Sequence, residues 1–97
     1  MIVHLVCFKY REDADRSARA THRERLRALA DIDGILDLKV GEDVVRSARS
    51  YDTGLVVLFR DQSALEQYQV HPRHVPVAQF GVGLCASIVA ADFEADR

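Results

Sequence analysis

Four histidines, His4, His22, His71 and His74, stand in a chain of 97 residues, and the last two flank Pro72 just after Tyr68. An imidazole is the side chain whose ordinary pKa lets it take and return a proton near neutral pH, and a phenol beside it can hold an oxygen on which negative charge develops. Packing alone does not need two histidines around a proline-initiated turn. Tyr68 with His71-Pro72-Arg73-His74 therefore points to acid–base chemistry on a small compound with carbonyl or phenol oxygens. His74 falls in the first turn after Pro72, where a helix N-terminus favours the neutral imidazole that acts as a base. Metal ligation is the weaker reading, because no Cys, Asp or Glu in that stretch completes a tetrahedral set. No serine or cysteine sits in a nucleophile elbow and no Gly-rich phosphate loop follows a strand, so no cofactor is implied.

The elements that must position these groups follow from periodicity. Ile2 to Tyr10 is an apolar run rich in β-branched and aromatic residues, ended by Arg11-Glu12-Asp13, and forms a first strand. From Asp15 to Ala30 there is neither Gly nor Pro, and Ala18, His22, Leu26 and Leu29 recur at helical spacing. Arg16, Arg19, Arg23 and Arg27 share the other face of that helix with Glu24, a solvated surface rather than a phosphate site. Gly34 stops the helix, and Ile35 to Gly41 alternates as a second strand. After a polar connection, Tyr51 to Arg60 makes a third strand, with Gly54 leaving room for close approach. Ser63 and Glu66, at capping-box spacing, open a second helix that runs to Val70. Pro72 then starts a further helical stretch towards Phe80, which Gly81 and Gly83 break. Ala86 to Phe93 is the fourth strand, and Glu94 to Arg97 a polar tail.

The order β-α-β-β-α-β is that of a ferredoxin-like α+β fold, a four-stranded antiparallel sheet with its helices on one face, occupying residues 1–97 as one domain. In the first strand His4, Val6 and Phe8 lie on one side and Val3, Leu5 and Cys7 on the other. The third strand likewise carries Leu55, Val57 and Phe59 opposite Val56 and Leu58. Helices can cover only one of two apolar faces, so a homodimer through the open sheet face is expected. On the covered face His4 meets His22 from the first helix and Tyr68 from the second. There a cavity lined by Leu26, Leu55, Val57, Phe59 and Ile88 would suit a small apolar or phenolic ligand.

Composition removes other classes. The chain is 48% hydrophobic and 29% charged, and its net charge of −2 gives no reason to expect nucleic acid. Its longest apolar runs fall far short of the roughly 20 residues that span a bilayer. The N-terminus shows no basic region or small-residue cleavage site, so a cytoplasmic location is expected. Cys7 and Cys85 are expected as reduced, buried thiols.

The opening Ile2-Val3-His4-Leu5-Val6-Cys7-Phe8-Lys9-Tyr10, together with Val40-Gly41-Glu42-Asp43, Tyr51-Asp52, Leu65-Glu66-Gln67-Tyr68, His71-Pro72-Arg73-His74 and Ala91-Asp92-Phe93, resembles the stress-responsive dimeric α/β-barrel (Dabb) family over essentially the whole chain. The resemblance implies a homodimer whose two sheets close a shared barrel. It is similar in particular to members of the olivetolic acid cyclase type, which cyclise polyketides by an aldol step. By that similarity Tyr68, His74 and His4 are the catalytic residues, with His74 as general base and His4 in support. The positions that shape the cyclase tunnel are His22, Leu26 and Cys85 here, so its substrate does not carry over. A ligand-binding or stress-protective module without catalysis is the alternative, and a cofactor-free oxygenase or haem-handling protein a third reading that rests on fold analogy alone.

Overall fold

The computed structural model describes residues 1–96. Its elements are β1 (Ile2–Tyr10), α1 (Arg16–Arg27), β2 (Ile35–Glu42), β3 (Thr53–Phe59), α2 (Gln62–Gln69), α3 (His74–Leu84) and β4 (Cys85–Glu94). The strands form one antiparallel sheet in the order β2-β3-β1-β4. This is the ferredoxin-like α+β architecture expected from the sequence, with the helical stretch after Pro72 present as a third helix.

Period-two alternation decides which face of the sheet is covered. In β1 Val6, Phe8 and Tyr10 are buried, while Leu5 and Lys9 are exposed; in β3 Thr53, Leu55, Val57 and Phe59 are buried, while Gly54 and Val56 are exposed. Leu26 and Leu29 from the α1 side and Leu65 and Tyr68 from α2 close over the buried set. The opposite face keeps Leu5 beside Val56 and Ala91 in register, with Val89 and Phe93 also exposed, and no element among the described residues covers it. Cys7 is on that face and Cys85 at the α3–β4 junction, so both are free but only half-buried, not the buried thiols expected. Gly54 is there too, and a Cβ built on it would meet nothing within 4 Å, so no close approach within the chain explains it.

Local signals set most of the boundaries. Asp15 caps α1 by accepting from the Ala18 N–H at 2.8 Å. The α2 cap is Asp61, accepting from Ala64 N–H at 2.9 Å, rather than the Ser63–Glu66 box, because the extended backbone of Asp61 already aims its carboxylate at that donor. Gly34 has a φ of 92°, and a Cβ there would stand 2.6 Å from that of Ala64, so the connection into β2 needs glycine on both counts. Tyr51 and Asp52 precede β3 instead of belonging to it; Asp52 ties that bend to β1, its carboxylate accepting from Tyr10 N–H and its own N–H donating to the Phe8 carbonyl, both at 2.8 Å.

Three further expectations are corrected. Arg19 and Arg23 are not on a merely solvated face: both are half-buried, Arg19 donating to the carbonyls of Ala14 and Arg11 and Arg23 to Thr53 Oγ1. And α3 does not end at Phe80 but continues through Gly81 and Gly83 to Leu84. Each glycine costs a helix about 1 kcal/mol relative to alanine, and tertiary packing overrides that cost: Gly81 is buried against His22, where a side chain would not fit. Of the expected frayed tail, Glu94 belongs to β4 and Ala95 N–H bonds the Met1 carbonyl, whereas Arg97 lies outside the described residues. No helix among the described residues is long and apolar enough to cross a membrane.

Candidate functional site

Between the covered face of the sheet and α3 lies a cavity of about 240 Å³ with an almost wholly apolar wall. A larger groove of about 520 Å³ runs along the open face from Cys7 to Val44, but it contains no histidine. The groups able to move protons converge on the smaller cavity: His4 from β1, His22 from α1, Tyr68 from α2 and His74 from α3.

Register explains how His4 is held. It stands opposite Val57 on β3 and Asp92 on β4, and its Nδ1 hydrogen-bonds the Asp92 carboxylate. A carboxylate only accepts, so Nδ1 carries a hydrogen and the ring is held with Nε2 directed away from Asp92. Asp92 escapes the sequence reading because its partner lies 88 residues away. The signal that points to it is an acid on the same strand face as Ile88 and Ala90, two otherwise apolar lining positions.

Tyr68 is fully buried on α2, with its ring 5.0 Å from that of Phe59, 6.0 Å from His4 and 4.1 Å from His74. Its hydroxyl has no hydrogen-bond partner among the described residues. Burial pushes the phenol pKa up to about 12, so the group is a neutral donor without an acceptor. His74 opens α3 and its Nδ1 lies 3.4 Å from the Gln69 carbonyl, which again assigns the hydrogen to Nδ1 and the lone pair to Nε2. Burial, the largest cause, together with the neighbouring His4 and His71, holds its pKa below the usual imidazole value. Burial, not the helix terminus, is thus the leading reason for the neutral imidazole.

The other expected residues divide. His22, Leu26, Leu55 and Ile88 line the cavity. Val57 and Phe59 do not: both are completely buried in the core, Phe59 behind the ring of Tyr68. His71 stays outside, its Nδ1 accepting from Arg73 N–H at 3.0 Å within the turn that links α2 to α3. Val77 and Ala78, within the expected helical stretch, also line the cavity, as does Val82, which lies beyond the expected end at Phe80 because Gly81 and Gly83 concealed the length of that helix. No cluster of three or more His, Cys, Asp or Glu suited to a metal occurs among the described residues.

The family described as Stress Responsive A/B Barrel Domain matches residues 2–95. The chain belongs to that family. A stress-response A/B barrel domain-containing protein of Arabidopsis thaliana is 32% identical over 99 residues, covering 100% of this chain; the chain spans only 38% of that relative's length. Among solved structures, a dimeric ferredoxin-like protein of unknown function from Thermobifida fusca superposes with a TM-score of 0.89 at 23% identity, over 97% of this chain and 90% of that one. A hydroxynitrile lyase from Passiflora edulis reaches 0.88 at 15% identity, over 98% and 93%. At these identities the two structures establish the ferredoxin-like fold and nothing further.

Proposed function

We propose that this A/B barrel protein acts as a homodimer joined through its open sheet faces, and that each protomer's cavity takes a small, mostly apolar compound bearing carbonyl or phenol oxygens and catalyses its acid–base cyclisation or isomerisation. The observation that carries this reading is Tyr68. A buried hydroxyl left without a partner costs about 1 to 3 kcal/mol, and this one lies beside a neutral imidazole on the wall of a cavity. Both groups are idle until a ligand oxygen arrives.

In this mechanism His74 Nε2 takes the acidic proton from a carbon between two carbonyls, and the C–H electron pair moves onto the adjacent carbonyl oxygen. Tyr68 O–H donates to that oxygen as its charge develops, which a hydroxyl with a pKa of about 12 does without ionising. In a cyclisation the enolate carbon attacks a second carbonyl of the same molecule, and the imidazolium returns its proton to the new alkoxide. In an isomerisation the proton returns to a different carbon. His4, oriented by Asp92, presents Nε2 to the same end of the cavity and supports the substrate. Proton transfer by positioned groups of this kind contributes about 10² to 10⁴ in rate. The free thiols Cys7 and Cys85 fit a reducing compartment and support a cytoplasmic location.

The test is a thermal-shift screen of phenols, β-diketones and lactones against the wild type and His74→Ala, with turnover of each hit followed by chromatography. Compounds that stabilise and are converted by the wild type alone support the reading. A hit that binds both proteins equally and is never converted would replace catalysis with simple binding.

A further inference from the structure

Four arginines converge outside the cavity, where a recess of about 320 Å³ opens between α1 and the loop that joins β2 to β3. Ala14, Arg16, Arg19 and Arg23 form its wall on the α1 side, Glu42 closes it at the end of β2, and Arg46 reaches it from the loop. Spacings of three and four residues put the α1 guanidiniums on one face of the helix. Taken along α1 alone they are a solvated stripe; Arg46, from another element, turns the stripe into a recess. A guanidinium stays charged at any pH the folded protein meets. Four of them against the single carboxylate of Glu42 leave an excess of three positive charges around one space.

Their contacts fix direction without cancelling charge. Arg19 Nε donates to the Ala14 carbonyl at 2.8 Å and its Nη2 to the Arg11 carbonyl at 3.1 Å, while the guanidinium carbon lies 5.2 Å from the centre of the Tyr10 ring. The side chain of Arg23 is only 13% exposed; Nη1 donates to Thr53 Oγ1 at 3.3 Å, and Nη2 lies 4.0 Å from Glu42, too far for a hydrogen bond. Thr53 Oγ1 also accepts from Tyr10 Oη at 3.0 Å, and Tyr10 Oη lies 2.7 Å from His22 Nδ1. The Arg23 charge is felt at the far end of this chain, where, second to burial, it holds the His22 pKa down to about 4. Arg16 and Arg46 are exposed, and of Arg46 only the backbone N–H is engaged, donating to the Asp43 carboxylate at 2.6 Å. The neighbouring acids are committed elsewhere: Asp13 to Arg11, Asp15 to the Ala18 N–H and Asp52 to the Tyr10 N–H.

Like charges gathered around one space repel, and an oxyanion seated among them replaces repulsion with charge-assisted hydrogen bonds. The planar fork of arginine matches two oxygens of a phosphate at once. A volume of about 320 Å³ is that of a small-molecule pocket and exceeds what a bare tetrahedral ion fills, and the wall is polar apart from Ala14. We propose that this recess binds the phosphate group of a small, hydrophilic phosphate ester, held by Arg16, Arg19, Arg23 and Arg46. The site is separate from the cavity and does not depend on the chemistry proposed there.

Calorimetric titration of the wild-type protein with glycerol phosphate is expected to show one site per protomer that weakens as salt is added, and titration with glycerol to show none. Arg46→Gly removes one guanidinium and suits the left-handed backbone at that position, where φ is 58°, so the variant is expected to fold and to bind roughly tenfold more weakly, the worth of a hydrogen bond to a charged group. Arg16→Ser, on the exposed start of α1, is expected to weaken binding in the same way. Arg49→Ser deletes an equal charge from the same loop outside the recess and is expected to leave the affinity unchanged. Tighter binding of glycerol phosphate than of inorganic phosphate supports an ester, whereas equal affinity overturns the ester and assigns the site to the free ion. Absence of binding to the wild type overturns the site. Equal losses in Arg46→Gly and Arg49→Ser overturn it as well, by reducing it to a diffuse surface charge.

Discussion

The imidazole of His74 lies against the phenol ring of Tyr68, centroids 4.1 Å apart and planes inclined by 35°, although the two side chains come from different helices. The turn from Val70 to Arg73 makes this possible. His74 N–H and Val75 N–H both donate to the His71 carbonyl, at 2.9 and 3.0 Å, and reverse the chain as α2 gives way to α3. The result is a donor and a base that touch each other with no other partner for the donor.

Replacing Tyr68 with Phe is therefore expected to separate stability from function. The variant removes a buried, unsatisfied hydroxyl and leaves the ring, so it gains about 1 kcal/mol, or roughly 4 °C or more in melting temperature for a chain of this size. Turnover of any substrate found by the screen is expected to fall about a hundredfold in the same protein. Calorimetry beside a kinetic assay checks both; a melting temperature that drops instead would mean the hydroxyl has a partner in solution.

Asp92 is expected to act through His4. In Asp92→Asn the side chain still reaches Nδ1, but its amide presents a donor as well as an acceptor, so the orientation of His4 is no longer fixed. The expected outcome is a fall in kcat of about tenfold with little change in KM. An unchanged kcat would reduce the pair to a surface contact of β4.

Acid is expected to unfold the protein earlier than its carboxylates alone require. Unfolded histidine binds a proton near pH 6.5, whereas folded His22 waits until about 4, and His74 is shifted in the same direction. Over that interval the unfolded state holds more protons, so stability is fully present above pH 6.5 and is lost as the pH falls towards 4. For His22, which is 1% exposed, the loss is on the order of 3 kcal/mol. Urea unfolding at steps between pH 7 and 4 gives the slope, and His22→Gln is expected to flatten it; an equally steep profile in the variant would assign the slope to other groups.

At the open sheet face, Leu5 lies between Val56 and Ala91, and all three are exposed in the single chain. Burying a carboxylate at the centre of an interface of about 800 Å² per partner is prohibitive. Leu5→Glu is expected to sediment as a folded monomer by analytical ultracentrifugation, with its circular dichroism unchanged. A variant that still sediments as a dimer would move the interface elsewhere.

The chain itself dictated the strand faces, because period-two alternation in Ile2–Tyr10 and Thr53–Phe59 leaves no choice of side, and it also marked Tyr68, His74, His4 and His22 as the polar groups of an apolar wall. Asp92 and the Tyr10–Thr53–His22 chain depended on register between strands distant in sequence, which no local pattern encodes. The extent of α3 was decided by packing, since Gly81 reads as a helix breaker until the ring of His22 is set against it. Propensity and periodicity act over a few residues and are written in the chain; contacts across 12 to 88 residues exist only once the sheet and helices have closed on one another.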